Sequence, residues 1–233
     1  MGQLFVIRQA GLAILANMNS LENGCRVGAL ILCFFLSVEM FLFGQQLNTQ
    51  AQSLQFQKSA VQKRTEVVRA ALDQVGVTLA YDPAYVKITY PNGDVPMDRG
   101  VCTDVVIRAL RRVGVDLQML VHEDKKQFPG AYAHNGAACL LDANIDHRRV
   151  PNLMTFFHRQ KRDVIVTHDG TDYLPGDIVV WRLPSGLLHV GVVTDHAALG
   201  ANRPLMVHNI GNGAQCEDTL FAFTLVGHYR WFM

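Results

Sequence analysis

Two periods of hydrophobic and polar positions run along this chain, and they predict different elements. Over Cys102–Val113 the apolar residues Val105, Val106, Ala109, Leu110 and Val113 recur at three- and four-residue steps, while Arg108, Arg111 and Arg112 fall on the other side. That spacing predicts a helix, ended by Gly114, with Asp98 or Gly100 as its N-terminal cap. A second helix is predicted around Val61–Val75. From Asp177 the period shortens to two: "TDYLPGDIVVWRLPSGLLHVGVVTD" reads as strands Asp177–Arg182 and Leu188–Thr194 joined by a Pro-Ser-Gly turn. In the second strand His189 shares a face with Gly191, which leaves room beside the imidazole. A third strand in "PLMVHNIGNG" ends at His208 and Asn209, and "GHYRWFM" reads as the last strand, with His228 and Arg230 together on a face toward solvent or the site rim. Between helices and strands lies an irregular middle reaching about His168. The fold class expected is α+β, with an N-terminal helical part and an antiparallel sheet.

The longest apolar run, "VGALILCFFLSVEMFLFG" (Val27–Gly44), follows Arg26 and precedes the polar "QQLNTQAQSLQFQKSA". It is expected to be a targeting segment, either the core of a signal peptide cleaved before Gln52 or an uncleaved membrane anchor. The domains expected are 1–47 as the signal peptide or anchor, 48–60 as a linker and 61–233 as the folded domain. That domain would then be exported, periplasmic or held at the inner membrane facing the periplasm, touching the membrane only through its N-terminal segment.

Charge narrows the partners. The 21 basic and 20 acidic residues give a net charge of +1 and are interspersed, so no basic stripe is available to follow a phosphate backbone and a nucleic-acid partner is not expected. Export also changes the meaning of the cysteines. Beyond the linker only Cys102, Cys139 and Cys216 remain, an odd number for an oxidising compartment. If Cys139 and Cys216 pair or stay buried, Cys102 is the natural functional thiol, because the first turn of a helix favours an anion and lowers a thiol's pKa.

A thiol at a helix start, an imidazole on a strand to take its proton, and a second polar group to orient that imidazole outline a nucleophilic triad. Antiparallel pairing can bring either His208 or Asn209 beside His189. The metal alternative is weaker. His122, Asp124, His134, Asp142, Asp146 and His147 are close in sequence, yet they match no ligand spacing, so neither a metal nor another cofactor is expected.

The order of a helix opening on cysteine, a "PGD" strand entry, "HVGVV" and then "MVHN" resembles the NlpC-type branch of the papain-like cysteine peptidases, which cleave peptide bonds in bacterial cell walls. More specifically, "YDPAYVKITYPNGDVPMDRGVCTDVVIRALRRVGVDLQ", "NIDHRRVPNL" and "GHYRW" resemble a bacterial exported family known as a domain of unknown function. The peptidase resemblance implies a papain-like fold, Cys102 as nucleophile, His189 as general base and His208 as the orienting residue. It also implies a peptidoglycan or other peptide substrate, cut through a thioester.

Around the thiol, Val101, Thr103 and Asp104 stand where the peptidase pattern has aspartate, serine and glycine. Asp104 is read mainly as a cap or network residue. Tyr90, upstream of the cysteine, is weighed between packing and the oxyanion pocket, for which the backbone N–H of Cys102 is the safer donor. In "DANIDHRRVPNL" two readings compete: a structural salt-bridge loop, or Arg148 or Arg149 holding a substrate carboxylate. Amide hydrolysis is the activity expected. Acyl transfer by the same thiol, a wall-binding module without chemistry and a zinc hydrolase are the alternatives.

Overall fold

A computed structural model describes residues 24–132 and 140–233. The chain divides into two compact units, Met1–Gln57 and Lys58–Met233. Helix α1 (Gly24–Leu72) supplies the described part of the first. The polar stretch 48–60, expected as a linker, is helical, because no glycine or proline interrupts the sequence between Gln45 and Val75. Among the described residues no helix is long and apolar enough to cross a membrane. The apolar run Val27–Gly44 lies on α1, and its side chains up to Phe35, with Ser37, fall outside the described residues.

The second unit is a mixed α+β domain. It holds a short parallel pair, β1 (Ala80–Tyr81) and β2 (Arg99–Gly100), then α2 (Cys102–Arg111), α3 (Leu117–Gln127) and α4 (Val150–Arg159). Five antiparallel strands follow: β3 (Ile178–Arg182), β4 (Leu188–Ala197), β5 (Pro204–Asn209), β6 (Ala214–Glu217) and β7 (Thr224–Tyr229), in the order β6-β5-β4-β3-β7. The middle of the chain is more regular than expected. Both helices there carry local start signals: the Asp116 side chain accepts the Gln118 N–H at the head of α3, and Pro151 sits in the first turn of α4.

Period-two alternation gives the sheet two buried faces. Ile178, Val180, Val190, Val192 and Val207 pack with α2 and α4 in the main core, whereas Val179, Trp181, Val193, Met206 and Leu220 form a second cluster on the other side. Helix α2 is buried nearly all round, including its polar residues. Arg108, expected on the solvent side, is 7% exposed. Its guanidinium bonds Asp94, Thr78 Oγ1 and the carbonyls of Val95, Pro96 and Arg99, so it clamps the loop that leads into α2. A buried guanidinium is tolerated because its donors are satisfied.

Candidate active site

The cap of α2 is neither Asp98 nor Gly100 but Val101, which has extended backbone and offers no side-chain acceptor. The start is secured from inside the helix. Asp104 Oδ2 accepts the Val101 N–H at 2.6 Å, and the same carboxylate takes a bidentate bond from Arg148, with Nε to Oδ1 and Nη2 to Oδ2 both at 2.9 Å. Gly100 leaves the space this needs, since a Cβ there would stand 2.9 Å from Asp104 Oδ2. Asp104 is therefore a network residue. Arg148 is 7% exposed and its fork is occupied by Asp104, so it braces the start of α2.

Cys102 occupies the first position of α2 and is 5% exposed. The helix start does not make it a thiolate. Burial pushes the thiol up to about 11, with the Asp104 carboxylate adding to the shift and the N–H groups of Val190, Thr103 and Cys102 opposing it. Desolvation outweighs the helix terminus here. The expected lowering of this pKa is thus overturned.

His189 lies directly opposite Trp181 in the β3–β4 ladder and stacks on it, with ring centroids 5.6 Å apart. His208 faces Gly191 across β4–β5, which makes it the diagonal neighbour of His189. Gly191 is what lets them meet. A Cβ there would stand 2.9 Å from the Val207 carbonyl, 3.0 Å from the Trp181 ring and 3.1 Å from His208 Cβ. In the space so left, His189 Nε2 and His208 Nδ1 are 2.9 Å apart. Both imidazoles are held below the usual histidine range, mainly by burial, and His189 falls to about 3.

Alternation sets the two histidines on the Trp181 side of the sheet, while Cys102 packs with the Val190 side. They are linked through the strand, since Cys102 lies in the core cluster that holds Val190, the residue that follows His189 on β4. With Nε2 engaged by His208, Nδ1 is the nitrogen of His189 left without a side-chain partner among the described residues, and it is also the one nearer the main chain.

A cavity of about 750 Å³ opens at Cys102, and Tyr81, Arg149, Arg182 and Leu188 are among its lining residues. Arg148 also lines it, Arg149 and Arg182 are exposed, and among the described lining residues none is acidic. Of the two arginines expected near substrate, both reach the cavity, Arg149 exposed and Arg148 bound to Asp104. Tyr90 lies elsewhere, with its hydroxyl on Glu123 Oε1 at 3.0 Å and its ring against His122. The tyrosine beside the thiol is Tyr81, whose phenol is pushed up by burial first and then by Cys102 and Asp104. Its sequence signal was the parallel pairing of β1 with β2, which short, exposed strands conceal. Asn209 is not the orienting group. Its amide donates to the carbonyls of Ala80 and Gly100, tying β5 to the β1–β2 pair.

The last strand also differs from expectation. His228 is buried rather than at the rim, with Nε2 2.7 Å from Asp177 Oδ2, and Arg230 forks onto the same carboxylate at 2.7 and 2.8 Å. Among the described residues no group of three or more histidine, cysteine or acidic side chains is placed to hold a metal. Asp124 is bound by Arg159 and Tyr132, Asp142 by Tyr85 and Asn144, and Asp146 by Lys125, while His134 falls outside the described residues. Cys216 is a free thiol, and Cys139, its suggested partner, also lies outside them.

Fold and site together define an α+β domain in which a buried cysteine opens a helix against a five-stranded antiparallel sheet carrying a bonded histidine pair. The chain belongs to the family described as "Domain of unknown function (DUF1287)", which matches residues 68–231. It is 54% identical over 167 residues to "Uncharacterized protein YijF" of Escherichia coli (strain K12), an alignment covering 72% of this chain and 81% of that protein.

Proposed function

We propose that the domain is an exported, NlpC-type papain-like cysteine hydrolase that cleaves amide bonds in peptidoglycan stem peptides through a thioester. The observation that carries this reading is that Cys102 opens α2 on the wall of an open cavity and packs in the cluster of Val190, next along β4 from His189, which is bonded to His208. Thiol and imidazole both rest neutral, so the nucleophile is generated as it attacks. The proton passes from Cys102 Sγ to His189 Nδ1 while sulfur bonds the substrate carbonyl carbon. The developing oxyanion is received by the backbone N–H of Cys102 at the helix start, a donor that needs no reorganisation. His189 then returns the proton to the leaving amine and takes another from the water that opens the thioester.

Arg149 and Arg182 give the cavity a cationic lining that suits a peptide with free carboxylates, as wall stem peptides have. Export rests on the apolar run Val27–Gly44. Incubating the full-length chain with purified peptidoglycan and identifying the products by mass spectrometry tests the proposal. New amine termini are expected. Cross-linked products would identify an acyl transferase, and binding without new termini would identify a wall-binding module.

A further inference from the structure

The histidine pair ends on a carboxylate that the triad reading leaves unused. His208 Nε2 stands 3.1 Å from Glu217 Oε2 and 3.3 Å from Thr219 Oγ1. Glu217 closes β6, in a register that sets His208 opposite Gln215, and its side chain is 47% exposed. Burial of His208, only partly offset by Glu217, keeps that ring neutral at pH 7, and His189 is neutral for the same reason. Each ring therefore carries one proton on one of two nitrogens. Which nitrogen holds it decides whether His189 can act as a base.

We infer that Glu217 is a positioning residue that sets the tautomer of His189 through His208. A solvated carboxylate at neutral pH accepts hydrogen bonds and does not donate them, so His208 must carry its proton on Nε2 to satisfy Glu217. His208 Nδ1 is then a bare acceptor, and the 2.9 Å contact to His189 is made only if His189 Nε2 donates. With its single proton on Nε2, His189 is left with an unprotonated Nδ1, the form a general base needs. The reverse arrangement would not serve. If His208 were protonated on Nδ1, it would donate to His189 Nε2 and the remaining proton of His189 would sit on Nδ1, leaving no lone pair to accept the thiol proton that the proposed reaction transfers.

Thr219 sharpens the point because a hydroxyl can donate or accept, and so selects neither tautomer. Only the carboxylate imposes a direction. The relay transfers no net proton to Glu217: one proton leaves Cys102 Sγ for His189 Nδ1, the resulting imidazolium keeps its Nε2 proton on His208, and the glutamate stays ionised throughout. Removing the carboxylate would leave Thr219 free to donate to His208 Nε2 and turn the chain around.

This inference rests on the cysteine-hydrolase reading for its consequence but not for its test. Nitrogen-15 spectra of the full-length chain labelled in histidine, with the His189 signals assigned by their loss in His189→Gln, report the tautomer directly. At pH 7 the wild type is expected to show His189 protonated on Nε2 and bare on Nδ1. Glu217→Gln and Glu217→Ala should shift protons toward Nδ1 at both rings, and Glu217→Asp should restore the wild-type pattern. On peptidoglycan, kcat of Glu217→Gln should fall by roughly 10- to 10³-fold with KM held, since a base in the wrong tautomer is lost while the cavity is untouched. A wild-type His189 carrying its proton on Nδ1, or a tautomer unchanged in both Glu217→Gln and Glu217→Ala, would overturn the assignment. An inactive wild type with the expected spectra would refute the hydrolase and uphold the relay.

Discussion

Two buried histidines sit on the same face of the sheet and live in opposite circumstances. His228 has both ring nitrogens committed, Nε2 to Asp177 at 2.7 Å and Nδ1 to the Ile165 carbonyl at 3.3 Å, and it is stacked on Tyr173 with ring centroids 4.3 Å apart. Asp177 in turn holds Arg230 and accepts the Leu174 N–H. His189 is stacked as well, on Trp181, but only its Nε2 is bonded, and to a second neutral histidine rather than to a charge. The first arrangement balances a buried carboxylate with a guanidinium and further hydrogen-bond partners until nothing is left to exchange. The second leaves Nδ1 of His189 without a side-chain partner among the described residues. Equal burial thus produces a fixed joint in one place and a ring with a nitrogen to spare in the other, and the difference lies in how many hydrogen bonds each ring has already made.

The largest effect expected is on activity. Cys102→Ala and His189→Ala should each reduce kcat/KM on a wall peptide by at least ~10² to 10⁴-fold, because one removes the proposed nucleophile and the other the proposed general base. His228→Ala should keep kcat per folded molecule and lose stability instead. Full activity in His189→Ala would break the contrast and the proposed mechanism with it. His208→Ala should cost less than His189→Ala, and His208→Asn less again, since an amide can still accept from the imidazole.

Scaffold pairs should respond in stability. Arg148→Ala strips a buried partner from Asp104 at the start of α2 and should lower the unfolding free energy by about 3–5 kcal/mol in urea titration. A loss below about 1 kcal/mol would mean that the pair is solvated and that Arg148 is free to meet substrate.

Acidification probes the buried histidines whose protonation burial opposes. His189 and His147 sit at about 3 and about 4, depressed from an ordinary value of 6.5, chiefly by burial. The unfolded chain therefore binds the proton first. Stability is complete above about 6.5 and is lost as pH falls toward 4 and 3, by up to ~1.4 kcal/mol per pH unit for each group. The thermal midpoint should drop between pH 7 and pH 5, while kcat/KM of the folded enzyme shows no limb near 6.5. A limb there would mean that His189 titrates as an exposed imidazole.

The smallest effects concern the resting thiol and the displaced tyrosine. With Cys102 held near 11 and 5% exposed, iodoacetamide at neutral pH should label the half-buried Cys216 before Cys102, as mass mapping would show. Rapid selective labelling of Cys102 would show a preformed thiolate. Tyr90→Phe should change neither activity nor stability by more than about 0.5 kcal/mol, as expected of an exposed hydroxyl bonded to a surface glutamate. The same substitution at Tyr81, on the cavity wall, tests whether a phenol assists there.

The sequence by itself determined the local elements. Period-two alternation and a Pro-Ser-Gly turn defined β3 and β4 to within a few residues, and three- and four-residue spacing defined α2 with Cys102 at its head. Alternation also placed Gly191 on the face of His189, and so the space into which His208 reaches. These features depend on neighbours a few residues apart, where backbone geometry leaves little choice. What lay beyond that range was decided by the tertiary structure. Arg148 finds Asp104 across 44 positions, and His228 and Arg230 find Asp177 across 51 and 53. Arg148, which read either as part of a salt-bridge loop or as a ligand for substrate, is buried because it meets Asp104, and a helix-start thiol that read as acidic is pushed up because tertiary packing buries it. Burial and pairing are properties of contacts between distant segments. Periodicity can say which face a residue occupies, but not what stands on the other side.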